Sequence, residues 1–192
     1  MSRLLRLATP DDIGTLTVLI EQSARVLSAG FYSAQETEAV VRHVFGVDSQ
    51  LIADGTYFVI EADGRLAACG GWSRRSTLFG GDQFKAQADA LLDPARDAAR
   101  IRAFFVHPDF ARQGLGRMLL EASMNAARDE GFTALELMAT LPGEPLYRAF
   151  GFEALERREL PFGPDIRVAM LRMRRAIDAP PSSPVRDLPH GR

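Results

Sequence analysis

The chain has 192 residues, 46% of them hydrophobic and 25% charged, with a formal net charge of −2. That length buries a core without disulfides or metal, and the composition excludes a disordered chain, a fibrous one and a disulfide framework. Charge so near zero argues against a nucleic-acid coat or a polybasic membrane surface. Of the 23 Lys and Arg residues only Lys85 is a lysine, however, and arginine is the better residue for forked contacts to phosphate.

Residues 4–7 alternate weakly and read as a short first strand. Thr9-Pro10-Asp11-Asp12 then reads as a helix start, with Thr9 as N-cap and Pro10 in the first turn. Ile13, Leu16, Leu19 and Ile20 continue it at helical spacing to about Leu27. Ser33-Ala34-Gln35-Glu36 opens a second helix, with Val40, Val41, Val44 and Phe45 as its buried side and Gly46 as its stop. From Tyr57 the period changes. A strand Tyr57–Glu61, the turn Ala62-Asp63-Gly64-Arg65 and a returning strand Leu66–Trp72 make a hairpin. Cys69 sits among small residues of that return and reads as a small buried side chain. Residues 73–97 are polar and broken by Gly80-Gly81-Asp82 and Asp93-Pro94, an excursion long enough to expect function or mobility.

Ile101–Val106 is the next strand and ends at His107-Pro108-Asp109. After a Gly-containing turn, Leu115, Met118, Leu119, Ala122 and Ala126 mark one face of a helix running to about Glu130, where Gly131 stops it. A strand Thr133–Met138, a short helix Pro145–Ala149, and strands Phe152–Leu160 and Ile166–Arg174 complete the order. These elements define one domain over residues 1–177. The Pro-rich tail 178–192 is expected to be disordered. The N-terminus has no apolar run of signal-peptide length, and no stretch approaches the roughly 18 apolar residues of a membrane span, so a cytoplasmic protein with no membrane partner is expected.

The turn Arg112-Gln113-Gly114-Leu115-Gly116-Arg117 joins a strand to a helix. A helix N-terminus offers unpaired N–H groups and partial positive charge, and glycines let an anion approach the backbone. Two glycines are equally compatible with an ordinary tight turn. The P-loop and dinucleotide patterns are both excluded, since no Gly-Lys-Ser/Thr is present and Leu119 stands where a third glycine would be needed.

With its surroundings, from Val106-His107-Pro108-Asp109-Phe110 through that turn to Pro145-Leu146-Tyr147-Arg148-Ala149-Phe150-Gly151-Phe152, the block resembles the GCN5-related N-acetyltransferase (GNAT) superfamily. The resemblance covers residues 3–175 and is most specific over 101–152. It departs from the family pattern at Ala111, where glutamine or arginine is usual. It implies an α/β fold: a mixed, largely antiparallel sheet of six or seven strands with helices on both faces. It also implies acetyl-CoA as acyl donor, no metal and no nucleic acid, and permits a homodimer.

By this resemblance Arg112, Gln113, Gly114, Leu115, Gly116 and Arg117 bind the pyrophosphate. Phe104, Phe105 and Val106 splay away from the following strand to receive the pantetheine arm, with an N–H at that strand's end aimed at the oxyanion. Tyr147 matches the proton donor to the departing thiolate. Glu136 resembles the base of some members, although a Glu between Leu135 and Leu137 is more often a solvated strand residue. His107 reads as structural, Glu61 and Glu144 stay open as bases, and a water relay needs none of them. Phe31, Tyr32 and Trp72 are the aromatics expected to line the acceptor site, with Arg74 or Arg75 able to pair with a carboxylate or phosphate. The absence of an acidic cluster nearby disfavours a polycationic acceptor. The implied activity is acetyl transfer to a primary amine of a small molecule or protein by direct attack on the thioester. The alternative is a non-catalytic acyl-CoA-binding module of the same fold.

Overall fold

Seven strands form one continuous sheet in the order β1-β2-β3-β4-β5-β7-β6 in the computed structural model, which describes residues 2–84 and 89–177. Lys85 and the tail 178–192 lie outside the described residues. The strands are β1 (Arg3–Leu7), β2 (Tyr57–Ala62), β3 (Arg65–Ser73), β4 (Ala99–Val106), β5 (Ala134–Thr140), β6 (Glu153–Phe162) and β7 (Ile166–Ala176). Every pairing is antiparallel except β4 with β5. The mixed, largely antiparallel sheet expected from the sequence is therefore the observed one, with seven strands.

Strand alternation decides which helix covers which face. Val59 and Cys69 point to one side, where Leu16, Leu19 and Ile20 of α1 (Ile13–Leu27) pack. Ile60 and Ala68 point to the other, beneath Leu115 and Leu119 of α4 (Leu115–Asp129). α2 (Ala34–His43) lies on the α1 side, where Val40 meets Val168 and Met170 of β7. The short α5 (Glu144–Ala149) sends Tyr147 into the α4-side core beside Leu135, Leu137 and Phe152.

Local chemistry sets most boundaries. A capping box at Thr9–Asp12 opens a 3-10 turn ahead of α1, and Arg6 of β1 forks onto the Asp12 carboxylate at 2.8 Å from both terminal nitrogens. That Arg6 contact holds the Asp12 carboxyl down to about 2. Ser33 and Glu36 form the second capping box. α2 stops at His43, before the expected Gly46, because the Phe45 N–H turns back onto the Val40 carbonyl. One helix was not signalled in the sequence: α3 (Ser49–Ala53) has five residues and buries Leu51 alone, too short to show a period.

The excursion after β3 is a strap pinned to the sheet. Arg102 of β4, 2% exposed, donates to the carbonyls of Thr77 at 2.8 Å and Gly80 at 2.7 Å and to the Asp48 carboxylate at 2.7 Å. Asp82 accepts from the Ser49 N–H, and Asp89 from the Thr77 N–H at 2.6 Å. Burial pulls the Arg102 guanidinium below its usual range, with Asp48 opposing the shift. Removing one partner of such a pair strands the other charge. Asp48→Ala is expected to destabilise the fold by about 3–5 kcal/mol, read as a lowered urea midpoint; a loss under about 1 kcal/mol would show that the strap is held by its other contacts.

Candidate functional site

β4 and β5 share only two register pairs, Ala99–Leu135 and Arg100–Glu136, and then part. The separation begins where Ala103 adopts φ +55° and the β3–β4 register shifts between Cys69 and Gly71. This is a bulge, and it bends the strand carrying Phe104, Phe105 and Val106. The Tyr57 hydroxyl donates to the Ala103 carbonyl at 3.2 Å and supports it from below. A cavity of about 740 Å³ fills the wedge. Residues 101–106 form one wall, and Met138, Thr140 and residues of α5 form the other. The helix-start turn follows the Val106 end of β4, the strap with Leu78 and Phe79 is pinned near Arg102 toward the other end, and Phe31 and Phe45 also line the cavity.

The turn is built for close approach. Arg112 sits at φ +62° and Gly114 at φ +84°, left-handed conformations that reverse the chain into α4. Its first helical bond runs from the Met118 N–H to the Gly114 carbonyl. The N–H groups of Leu115, Gly116 and Arg117 therefore have no acceptor within the helix and add to its positive end. At Gly116 a side chain would come within 3.0 Å of Leu146 of α5, so glycine keeps the two helices in contact. The Arg117 guanidinium lies 4.9 Å over the Phe150 ring. Arg112, Gly114, Leu115, Gly116 and Arg117 all line the cavity. Gln113 does not: its side chain donates back to the Asp109 carbonyl at 3.2 Å. His107 caps the preceding 3-10 turn, its Nδ1 accepting from the Asp109 N–H at 3.2 Å.

Tyr147 reaches the cavity from α5, its ring edge-on to Phe104 and Phe152 at 6.3 and 5.8 Å. Burial raises its hydroxyl above the ordinary tyrosine range, so it keeps its proton at neutral pH.

Four expectations need correction. Glu136 does not face the cavity; it is 3% exposed and held by Arg172 at 2.7 Å and Arg100 at 3.1 Å. Burial alone would raise its carboxyl, but the Arg172 hydrogen bond and the charges of Arg100 and Arg172 outweigh that and hold it low, which makes it a poor base. Trp72 is 1% exposed and packs edge-on against Phe132 in the α4-side core, away from the cavity wall. Tyr32 is a structural tie. Its hydroxyl donates to the Ala169 carbonyl at 2.7 Å and accepts from the Leu141 N–H at 2.9 Å, and burial pushes its pKa up to about 12. Arg74 and Arg75 are likewise engaged, with Glu130 and Asp54. Of the other bases left open, Glu61 pairs with Arg6 and Glu144 with Arg148. Of the expected acceptor aromatics, Phe31 alone lines the cavity, 49% exposed.

Several lining residues have no motif to mark them. Phe45, Phe79, Met138 and Met170 reach the wall from separate elements. Ser23 left a faint signal as a hydroxyl on the apolar stripe of Leu16, Leu19 and Ile20. Its Oγ accepts from the Val106 N–H at 3.2 Å, the β4 donor that faces the wedge. Among the described residues, no cluster of three metal-binding side chains occurs and no helix is long and apolar enough to cross a membrane.

The model of the acetyltransferase (GNAT) family matches residues 22–152. No curated protein matches the sequence. Among solved structures, a GCN5-related N-acetyltransferase from Rhodopseudomonas palustris superposes with TM-score 0.67 at 19% identity, covering 92% of this chain and 96% of its own. The PaiA N-acetyltransferase of Thermoplasma acidophilum, solved with coenzyme A, gives 0.63 at 14%, covering 92% and 99%. The ribosomal-protein-S18-alanine N-acetyltransferase of Escherichia coli gives 0.59 at 18%, covering 94% and 97%. At these identities the likeness is one of fold.

The two roles of the Tyr32 hydroxyl separate cleanly by mutation. Tyr32→Phe leaves the Leu141 N–H and Ala169 carbonyl without their partner and is expected to cost about 1–3 kcal/mol of stability. KM for the acetyl acceptor should stay within twofold; a large rise in KM with unchanged stability would return Tyr32 to acceptor binding.

Proposed function

The chain belongs to the acetyltransferase (GNAT) family, and from that premise we propose that it moves an acetyl group from acetyl-CoA to a primary amine by direct attack within the β4–β5 wedge. One observation carries this reading: a left-handed Gly114 presents the free N–H groups of Leu115, Gly116 and Arg117, with the side chains of Arg112 and Arg117, at the mouth of a wedge whose wall is an unpaired strand edge.

Acetyl-CoA supplies an acetyl group already activated as a thioester. The helix-start N–H groups and the two arginines hold its pyrophosphate. The edge of Phe104, Phe105 and Val106, free of β5, offers backbone donors and acceptors to an extended amide-containing arm. The Val106 N–H donates to Ser23 Oγ, and a thioester oxygen that takes this donor over from the hydroxyl would be stabilised by it as negative charge develops. Tyr147 keeps its hydroxyl proton and stands on the wedge wall, which fits it to give that proton to the leaving sulfur. No carboxylate among the bases considered from the sequence lines the cavity, so the amine loses its proton to solvent before or as it attacks.

Two substitutions test the reading. Gly114→Asp places a carboxylate and a strained side chain in the anion site. The thermal stabilisation by coenzyme A should disappear while the unliganded melting temperature falls only slightly; unchanged stabilisation by the ligand would remove the turn from donor binding. Tyr147→Phe should lower kcat at least tenfold with little change in acetyl-CoA affinity. Equal turnover would remove Tyr147 from proton transfer, and a parent protein that binds coenzyme A but acetylates no amine would be a binding module.

A further inference from the structure

The acceptor end of the wedge has a consistent chemistry. Phe31, Phe45, Leu78, Phe79, Met138 and Met170 converge there from the α1–α2 turn, the segment after α2, the strap, β5 and β7. The two ends of this wall are stiffened by ring contacts, Phe45 edge-on to Phe105 at 5.4 Å and Phe79 against Phe84 at 5.1 Å. The charged side chains on the cavity lining, among the described residues, are three arginines. Arg102 spends its donors on Thr77, Gly80 and Asp48, and Arg112 and Arg117 stand at the turn. A cation entering this space meets like charge and apolar surface, and an ammonium stripped of water without a partner costs several kcal/mol.

Resting on the donor-site reading above, we propose that the acceptor is a weakly basic primary amine on an aromatic or aliphatic body, bound as its free base. The proton balance agrees with this choice. When a neutral amine attacks, the N–C bond forms as the C–S bond breaks, the nitrogen gives up one proton and the sulfur takes one. The step is neutral overall and needs no base on the cavity wall, whereas an ammonium must first lose a proton to solvent. An α-amine, with a pKa near 7.7–8.0, is about one-quarter neutral at pH 7.4, against about one part in a thousand for an alkylamine near 10.4. That is a difference of a few hundredfold in the reactive form. The apolar wall then selects among free bases by the area they bury.

The experiment uses the purified full chain with four acceptors: phenylalaninamide, a short peptide beginning with phenylalanine, 2-phenylethylamine and 1,5-diaminopentane. Melting temperatures are first taken with coenzyme A alone and then with each amine added. If coenzyme A gives no stabilisation, the donor-site reading falls and this proposal with it. Given that stabilisation, phenylalaninamide or the peptide should raise the melting temperature further, and the diamine should not. At pH 7.4 the better of those two should exceed 2-phenylethylamine at least thirtyfold in kcat/KM, and the diamine by more. Which of the two is better separates a small-molecule source from a polypeptide one. Raising the pH from 7 to 9 should lift the 2-phenylethylamine rate about tenfold per unit, while phenylalaninamide levels off near pH 8. A diamine that matches or beats the aromatic amines overturns the proposal and leaves the donor site standing; so does a failure of all four to bind or react.

A carboxylate introduced at the acceptor end provides an independent check. Phe79→Glu, on the strap, and Phe31→Glu, on the exposed turn, should each shift the phenylalaninamide-to-diamine ratio at least tenfold toward the diamine, with coenzyme A stabilisation unchanged. An unchanged ratio in a variant that retains that stabilisation places the acceptor elsewhere and overturns the proposal.

Discussion

The constraint on which the rest depends is the parting of two parallel strands inside a buried sheet. Backbone N–H and C=O groups withdrawn from water must find partners, and a split sheet leaves two rows of them unpaired. The protein limits the split to one place. Before it, Ala99–Leu135 and Arg100–Glu136 are paired, and Arg100, Glu136 and Arg172 tie β4, β5 and β7 together by charge. At it, Ala103 takes a left-handed conformation and the Tyr57 hydroxyl holds its carbonyl. Beyond it, Ser23 satisfies the Val106 N–H. Glu136 is thus better understood as the pin of the split than as a base: a buried carboxylate held low by two guanidinium groups is a poor proton acceptor and a strong tie.

The remaining walls follow from closing that wedge. α1 and α4 cover opposite faces because β2 and β3 alternate their apolar residues, and each helix delivers one component to the gap: Ser23 from the first, the Gly114 turn from the second. The strap after β3 supplies the far end. Arg102 fixes it by accepting a buried position that only several oxygens at once make tolerable: two carbonyls and a carboxylate around one guanidinium. The same side chain thereby sets the position of Leu78 and Phe79 and keeps its own charge committed to protein oxygens.

What was legible in the sequence divides along a physical line. Elements with their own period or their own caps were readable to within a few residues, as at Ile13–Leu27, Leu115–Asp129 and the Tyr57–Ser73 hairpin. The turn before α4 was readable as a strand-to-helix turn because its signals are local, two glycines and two arginines in six residues. The apolar part of the cavity wall was not. Phe31 and Tyr32 are neighbours in sequence, yet one lines the cavity and the other ties α2 to β5 and β7 through both roles of its hydroxyl. Trp72 follows the returning strand as expected, but strand alternation sends its ring to the α4-side core, where Phe132 covers it. Glu136 lies between two leucines on a strand, and nothing local says that arginines from two other strands converge on it. Residues recruited from five separate elements leave no spacing to read.

The arginine content acquires a structural meaning on these terms. A lysine ammonium is a compact, strongly hydrated point charge; a guanidinium can be shared among several oxygens along a plane. Arg6 joins Asp12 and Glu61, Arg75 forks onto Asp54, Arg102 joins three acceptors on two segments, and Glu136 is reached by arginines from two strands. In each case one side chain spans elements distant in sequence, and several do so where water is scarce. Most of the positive charge is therefore absorbed by the protein's own oxygens. On the cavity wall, the turn carries Arg112 and Arg117 beside the free N–H groups of α4, with Arg117 in an exposed ion pair with Glu121 at 3.6 Å. A near-neutral chain thus places two arginines and a helix N-terminus on one part of the wedge and apolar side chains on another, a difference in polarity along one continuous cavity on which the proposed donor and acceptor assignments rest.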